Sequence, residues 1–240
     1  MKLLSNYCRP LIYLAIIACL FFSCSKNSNS SGTSNTDLRI QKRKVLVILG
    51  SSTAAGTGAI PIDSSWVNRL NAQLSIDERN TQVINLAMGG YNTSKIVPSS
   101  YKTADTSRNI TKAISYGPEM IIINLPSNDF ADGYTDEQIL NNYSLTVHDI
   151  NAAHIQYLIT STQPRNFSSL DLRKRVALFN DKMESAYPGH ILNYYWQLAS
   201  SDYTINPIYS YGDGVHVNNK GHYLIFQSVV QNNTFKNIFY

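Results

Sequence analysis

Residues 44–53 read Lys44-Val45-Leu46-Val47-Ile48-Leu49 and then Gly50-Ser51-Ser52-Thr53. The first part contains Val, Ile and Leu without polar alternation, which is typical of a strand buried on both faces in a parallel sheet. Glycine permits a sharp turn, so the second part predicts a tight connection from this strand into a helix. Ser52 then lies where free backbone N–H groups point towards an anion. A serine that only caps the helix would show the same local pattern.

Further apolar runs predict more strands, and the segments between them have helical spacing. The runs span residues 82–86, 120–125, 155–160 and 191–195. Between them, apolar residues recur at every third or fourth position, as on one face of a helix. These sets are Trp66, Leu70 and Leu74; Ile139, Tyr143, Val147 and Ile150; Val176, Phe179 and Met183; and, on the last helix, Tyr223, Phe226 and Val230. Strands that alternate with helices predict an α/β domain with a parallel sheet and right-handed crossovers.

Glycine or polar residues follow the first three predicted strands. Ser52 follows the first strand, Gly89-Gly90 the second and Ser127-Asn128-Asp129 the third. Because ligands bind beyond the carboxyl ends of parallel strands, we expect these segments to meet at one edge of the sheet. The Gly90 N–H and the Asn128 amide are therefore candidate donors to an oxyanion. A turn glycine and a helix cap are the alternative interpretations of these two segments.

A candidate base lies near the carboxyl end of the chain, in Asp213-Gly214-Val215-His216. A carboxylate that accepts from the imidazole Nδ1–H holds a histidine in the tautomer that takes a proton from serine, and a separation of three residues in a turn allows this contact. A surface aspartate beside a structural histidine is the alternative. The other histidines lack neighbouring metal-ligand patterns, so we interpret them as structural and expect no metal site. They are His148, His154, His190 and His222.

Together, these segments resemble the SGNH (GDSL-type) hydrolase family over residues 44–235. The resemblance implies a three-layer α/β/α sandwich around a central parallel sheet of about five strands, with a flavodoxin-like fold. It assigns a catalytic triad to Ser52, Asp213 and His216, and an oxyanion hole to the N–H groups of Ser52 and Gly90 and the side-chain amide of Asn128. In this chain Ser51 and Pro126 stand where the family usually has Asp and Gly.

The activity that the resemblance implies is hydrolysis of carboxylic esters through an acyl-enzyme, without a metal or an organic cofactor. Residues 91–108 and 200–211 are candidates to shape the pocket, and neither contains the long apolar stretch of an acyl-chain tunnel. We therefore expect short-chain, acetyl esters of a carbohydrate or a small metabolite as substrates. A lysophospholipase- or thioesterase-type acyl hydrolase and a catalytically impaired surface binding module are the alternatives. We interpret Arg165 as a partner in a surface salt bridge, with contact to an anionic substrate as the alternative.

The chain begins like an exported protein. Lys2 and Arg9 precede an apolar stretch from Leu11 to Phe22, which is shorter than a membrane-spanning helix of about 20 residues. Phe21-Phe22-Ser23-Cys24 then resembles a bacterial lipobox. We therefore expect a signal peptide over residues 1–24, a lipid anchor on Cys24, a polar disordered tether over residues 25–42 and a hydrolase domain over residues 43–240. An ordinary signal peptide or an uncleaved anchor is the alternative. The expected location is the bacterial periplasm or cell surface.

Composition narrows the range of partners. All three cysteines lie within residues 1–24, so we expect no disulfide in the folded domain. The chain has 20 Lys and Arg residues, of which Lys2 and Arg9 belong to the leader, against 16 Asp and Glu residues. This near balance argues against a dedicated nucleic-acid binder. The sequence leaves the oligomeric state open.

Overall fold

The computed structural model describes residues 43–76 and 80–240. The expected signal peptide over residues 1–24, its Cys24 and the expected tether over residues 25–42 lie outside the described residues. Among residues 43–76 and 80–240, no helix has both the length and the apolar character needed to cross a membrane.

Strands and helices alternate along the described chain. The strands are β1 (Lys44–Gly50), β2 (Thr81–Asn85), β3 (Met120–Asn124), β4 (Gln156–Thr160) and β5 (Ile191–Leu192). The longer helices are α2 (Trp66–Ile76), α6 (Asp136–Ala152), α7 (Leu170–Ala186) and α9 (Asn219–Gln231). The shorter helices are α1 (Ser52–Ala55), α3 (Thr93–Ile96), α4 (Ile110–Ile114), α5 (Ser127–Ala131), α8 (Tyr195–Leu198) and α10 (Asn233–Phe239).

The described strands form one sheet with the order β2-β1-β3-β4-β5, and every adjacent pair is parallel. In the centre, Val47 of β1 lies opposite Ile84 of β2 and Ile121 of β3. This is the flavodoxin-like strand order, in which β2 and β3 flank β1 and leave a crevice at the carboxyl ends of β1 and β3. The α/β fold predicted from the sequence is confirmed.

Both faces of the sheet are buried because successive side chains of a strand point to opposite sides. Leu46 and Ile48 belong to one apolar cluster with residues of α2, α9 and α10. Val47 and Leu49 belong to a second cluster with residues of α4, α6 and α7. The uninterrupted apolar sequence of β1 thus reflects two cores, one on each face, as the three-layer prediction requires.

The last predicted strand is shorter than expected. The apolar run over residues 191–195 predicts five paired residues, but β5 contains only Ile191 and Leu192. Tyr194 is fully buried, its hydroxyl accepts from the Asn124 Nδ2 at 2.9 Å, and α8 begins at the next residue. The tyrosine therefore packs inward to complete a polar contact at the end of β3, and this arrangement ends the strand.

The apolar face predicted for the last long helix is wrong at one position, and another helix follows it. Tyr223 is 48% exposed and packs under the guanidinium of Arg69, at 5.4 Å from its ring centre. The buried side of α9 includes His222, Phe226 and Val229, and α10 continues the chain. A histidine takes the inward position because its two ring nitrogens find partners, which a pattern of apolar residues does not reveal.

Candidate active site

The nucleophile candidate lies in the tight connection after β1. Ser52 is the first residue of α1, and Ser51 is the residue that precedes the helix. A Cβ atom on Gly50 would lie 2.7 Å from the Ala54 Cβ, so the close return of the chain requires glycine there. Within the described part of the chain, the Ser52 N–H donates to no other group, which leaves it available to an oxyanion.

His216 joins Ser52 to Asp213. Its Nε2 lies 2.7 Å from the Ser52 Oγ, and its Nδ1 lies 2.6 Å from the Asp213 Oδ2. An ionised carboxylate only accepts, so Nδ1 carries the proton and Nε2 is left to accept from the serine hydroxyl. The structure thus brings the three predicted triad residues into one hydrogen-bonded chain.

The two oxygens of Asp213 have separate partners. Oδ1 accepts from the backbone N–H groups of Val215 at 2.9 Å and His216 at 2.8 Å, which leaves Oδ2 for the imidazole. Burial raises the pKa of this carboxyl, but the hydrogen bonds from the His216 side chain and from the two backbone groups outweigh it and lower the pKa to about 2. Asp213 is therefore ionised throughout the neutral range.

The predicted oxyanion donors lie beside the serine. A Cβ atom on Gly89 would lie 3.9 Å from the Ser52 Cβ, which places this loop against the nucleophile. Gly90 has a φ of +84°, a left-handed conformation that favours glycine, and its N–H donates to no other group in the described residues. The Asn128 Nδ2 donates to the carbonyl oxygen of Tyr91 at 2.9 Å, so its amide lies alongside the same loop.

Asp129 holds the segment that follows the Gly90 loop by accepting hydrogen bonds from Thr93. The interpretation of Asn128-Asp129 as a helix cap did not predict this contact. The residue is fully buried, and its carboxylate accepts from the Thr93 N–H at 2.9 and 3.0 Å and from the Thr93 hydroxyl. Burial raises the pKa of Asp129 to about 7, although the hydrogen bonds from Thr93 oppose the shift. This contact ties α5, which carries Asn128, to α3, which follows the Gly90 loop.

The segment after β4 also reaches the site, and sequence reasoning missed most of it. The Gln163 Nε2 donates to the Thr53 Oγ1 at 2.9 Å and to the Val215 carbonyl at 3.4 Å. The Asn166 N–H donates to the Gly214 carbonyl at 2.8 Å. Its place in the sequence could have indicated this, because the segment follows a predicted parallel strand, as the other site segments do.

Among the described residues, Arg165 does not form the surface salt bridge that the sequence interpretation expected. The side chain is half-buried, and within residues 43–76 and 80–240 no Asp or Glu oxygen lies within 4.0 Å of it. Its Nη1 instead donates to the Asn128 Oδ1 at 3.1 Å, and its guanidinium lies over the ring of Phe167 at 5.1 Å. It faces inward because Asn128 and Phe167 offer a polar and an aromatic partner at the sheet edge.

The tyrosines of the two segments predicted to shape a pocket, residues 91–108 and 200–211, have different surroundings. The partly buried Tyr91 donates its hydroxyl to Asp105, and burial together with this bond raises its pKa to about 12. Tyr209 lines a groove of about 560 Å³ with Arg69 and Tyr223, and this groove contains no triad residue. The Tyr211 N–H donates to the His216 carbonyl at 3.0 Å, and its side chain is 46% exposed. Of these tyrosines, Tyr211 is thus the one bonded to the triad histidine.

The remaining histidines lie apart from this network. His190 stacks on the ring of Tyr157 with centroids 4.0 Å apart, and His222 is buried in the core. His148 is exposed on α6, and His154 has a φ of +56° just after that helix. The part of the chain that the structure describes contains no group of three or more His, Cys, Asp or Glu side chains arranged to hold a metal ion.

Comparison with known proteins identifies relatives with this architecture. Residues 48–224 match the family model described as the GDSL-like Lipase/Acylhydrolase family. No curated protein sequence matches the chain. A GDSL-like lipase from Bacteroides thetaiotaomicron VPI-5482 is similar at 19% identity and a TM-score of 0.61, covering 82% of this chain and 90% of that one.

Two esterase structures are similar as well. The psychrotrophic esterase EstA from Pseudoalteromonas sp., in a structure inhibited by monoethylphosphonate, matches at 18% identity and a TM-score of 0.57, covering 81% of this chain and 99% of that one. The acetyl xylan esterase AlAXEase matches at 12% identity and a TM-score of 0.56, covering 77% and 96%. At these identities the likeness shows a shared fold.

Proposed function

This chain belongs to the GDSL-like lipase/acylhydrolase family, and we propose how its residues carry out the reaction. It is a hydrolase that acts on ester bonds. The proposal is that Ser52 is its nucleophile, His216 its general base and acid, and Asp213 the residue that orients His216. The observation that carries it is the chain of contacts at 2.7 Å and 2.6 Å from the Ser52 Oγ through the imidazole to Asp213.

In the first half of the reaction, the Ser52 Oγ attacks the ester carbonyl while its proton passes to the His216 Nε2. The carbonyl oxygen becomes an oxyanion, which accepts from the N–H groups of Ser52 and Gly90 and from the second N–H of the Asn128 amide. Loss of one such donor typically costs ~3 kcal/mol of transition-state stabilisation. Asp213 stabilises the imidazolium that forms, because it is ionised and hydrogen-bonded to Nδ1.

The tetrahedral intermediate then collapses to the acyl-enzyme. The bond between the carbonyl carbon and the alcohol oxygen breaks, and His216 donates its proton to the departing alcohol, which leaves an acyl group on Ser52. Water then attacks the acyl-enzyme, His216 accepts its proton, and the carboxylic acid departs as the Ser52 hydroxyl regains a proton. Every step uses the same three side chains and the same oxyanion donors.

For the substrate, we propose short-chain, acetyl esters of a carbohydrate or a small metabolite. Tyr211 supports this choice, since it is bonded to His216 through its backbone and presents an exposed aromatic side chain of the kind that packs on sugar rings. The fold shared with an acetyl xylan esterase is a second support. A panel of 4-nitrophenyl esters of increasing chain length, acetylated xylo-oligosaccharides, a lysophospholipid and an acyl thioester separates this proposal from the acyl-hydrolase alternatives.

Covalent labelling tests the assignment of the nucleophile. We expect a fluorophosphonate probe to label the wild-type protein and to leave Ser52→Ala unlabelled and inactive, with an unchanged circular dichroism spectrum. Ser51→Ala is the matched control, because its side chain forms no cap hydrogen bond with α1, and it should still be labelled. Labelling or near wild-type turnover by a folded Ser52→Ala protein would refute Ser52 as the nucleophile. A wild-type protein that reacts with neither the probe nor any ester would support the binding-module alternative.

A further inference from the structure

The side-chain amide of Asn128 is held at both ends. Its Oδ1 accepts from the Arg165 Nη1 at 3.1 Å, and its Nδ2 donates to the Tyr91 carbonyl at 2.9 Å. A guanidinium has only donors and a backbone carbonyl has only acceptors, so these two partners determine which end of the amide carries hydrogen. One N–H of the amide is used by Tyr91, and the orientation of the other is fixed by the same plane.

Arg165 is itself fixed in place. Its guanidinium lies over the Phe167 ring at 5.1 Å, and its charge is not matched by a carboxylate within 4.0 Å among the residues that the structure describes. The residues on either side of Pro164 and Arg165 hold the backbone, since Gln163 donates to Thr53 and the Asn166 N–H donates to Gly214. Arg165 is therefore a half-buried arginine with no ion pair inside the described ranges, and its observed side-chain hydrogen bond goes to Asn128.

The charge of Arg165 also affects the donor strength of that amide. A hydrogen bond from a cation is stronger than one between neutral groups, and it polarises the group that accepts it. Polarisation of the Asn128 carbonyl makes its Nδ2 hydrogens more positive, which favours contact with a developing oxyanion. The oxyanion exists only in the intermediate and the flanking transition states, so this effect belongs to the chemical step more than to substrate binding.

We propose that Arg165 is a positioning residue of the oxyanion hole and acts on the reaction through the Asn128 amide. This role rests on the proposed function, in which Asn128 is an oxyanion donor. It predicts that loss of Arg165 lowers kcat with little change in KM, and that the loss disappears when Asn128 is already absent.

A double-mutant cycle tests this role with Arg165→Met, Asn128→Ala and the double variant. Met retains the length of the stem and removes every donor. We expect Arg165→Met to lower kcat by about tenfold or more, with KM within about twofold, as for the loss of part of an oxyanion interaction. In the Asn128→Ala background the same substitution should change kcat by less than about twofold. Arg165→Lys should recover part of the loss because it restores one charged donor.

Arg173→Met is the matched control for general loosening of this segment. Arg173 donates to the backbone carbonyls of Phe167 and Asp202 and does not contact Asn128, so we expect its kcat to equal the wild-type value. Thermal unfolding of all variants checks that they are folded. The rate of phosphonylation of Ser52 by the fluorophosphonate probe gives a second cycle that is independent of the choice of ester.

Two results would overturn the role of Arg165. One is an additive cycle, in which Arg165→Met causes the same loss with and without Asn128. The other is a loss confined to KM for an anionic ester such as 4-acetoxybenzoate and absent for its neutral methyl ester, which would show direct contact with substrate. A wild-type protein that neither hydrolyses esters nor reacts with the probe refutes the proposed function itself, whereas a reactive wild type with an additive cycle refutes only this inference.

Discussion

Asp213 illustrates how much one side chain of the site depends on its local backbone. One of its oxygens accepts from two N–H groups of its own turn, so the orientation of the carboxylate does not depend on its bond to the imidazole. The same bonds, with that of His216, hold its pKa at about 2 although partial desolvation raises it. The side chain is 37% exposed, so solvent weakens its attraction for the imidazolium, and orientation of the ring is its larger contribution.

From this arrangement we predict the effect of Asp213→Asn. The asparagine Oδ1 still accepts from the turn, but its Nδ2 donates where an acceptor is needed, so the imidazole is held in the wrong tautomer. We expect kcat to fall by about 10²- to 10⁴-fold while KM changes little. Because the native carboxylate ionises at about pH 2, it is charged at every pH from weakly acidic to alkaline, and we expect a loss throughout that range.

Steady-state kinetics across this pH range measures the effect. Asp202→Asn provides the control, since Asp202 caps its own turn through Thr204 in a similar way but lies outside the triad. Full kcat in Asp213→Asn would show that another group orients His216. A loss that appears only at alkaline pH would contradict the ionisation described here, because it would show that the native carboxyl is still protonated at weakly acidic pH.

Among the helices, α9 shows how a buried polar residue substitutes for an apolar one. His222 is fully buried, its Nδ1 accepts from the Trp66 N–H at 3.4 Å, and its Nε2 donates to the Thr57 carbonyl at 3.0 Å. It therefore connects α9 to the start of α2 and to the loop after α1. Burial lowers the pKa of this imidazole to about 4, because the charged form would lose its solvation and its acceptor role.

This shift predicts an acid-sensitive contribution to stability. The folded state resists protonation of His222 down to about pH 4, whereas the unfolded chain takes up the proton near pH 6.5. Between these values the unfolded state binds more protons, so the free energy of unfolding falls as pH falls. From near-neutral pH to about pH 4.5, His222 should contribute a loss of about 2 kcal/mol.

Urea unfolding of the wild type and His222→Gln at these two pH values checks the prediction. Glutamine retains one acceptor and one donor but does not titrate, so its loss of stability over the interval should be smaller by about 2 kcal/mol. His148→Gln, at an exposed position of α6, is the control and should retain the wild-type difference. Equal pH dependence in wild type and His222→Gln would contradict the buried neutral state.

For the chain as a whole, the expected signal peptide over residues 1–24 predicts where the protein is located, and the folded domain does not. The apolar stretch before Cys24 and the polar residues after it resemble those of a lipid-anchored exported protein. We predict that Cys24→Ala abolishes lipid attachment and releases the domain from the membrane fraction, with esterase activity unchanged. Cys19→Ala, inside the apolar stretch, is the matched control and should leave anchoring intact. Unchanged processing and membrane association of Cys24→Ala would contradict the lipoprotein interpretation.

Local pattern was sufficient to predict the layers of this domain and the edge of the sheet at which the candidate site lies. A strand buried on both faces and a helix with one apolar side leave periodic signals within a few residues, so Val47 and Trp66 identified their elements without tertiary information. Strand ends then placed Ser52, Gly90 and Asn128 on the same edge. The predictions of the last strand and of the last long helix were wrong where a buried side chain forms a polar contact, as Tyr194 and His222 do.

The contacts that make the site a unit depend on the arrangement of the strands in space. His216 and Ser52 are 164 positions apart, and they meet because the order of the sheet brings their loops together. Arg165 had no periodic signal, because its position facing Asn128 depends on the fold of the segment after β4 and on the ring of Phe167 beneath it. Periodicity records which side of an element is buried, whereas hydrogen-bond partners between distant segments are determined only when those elements pack.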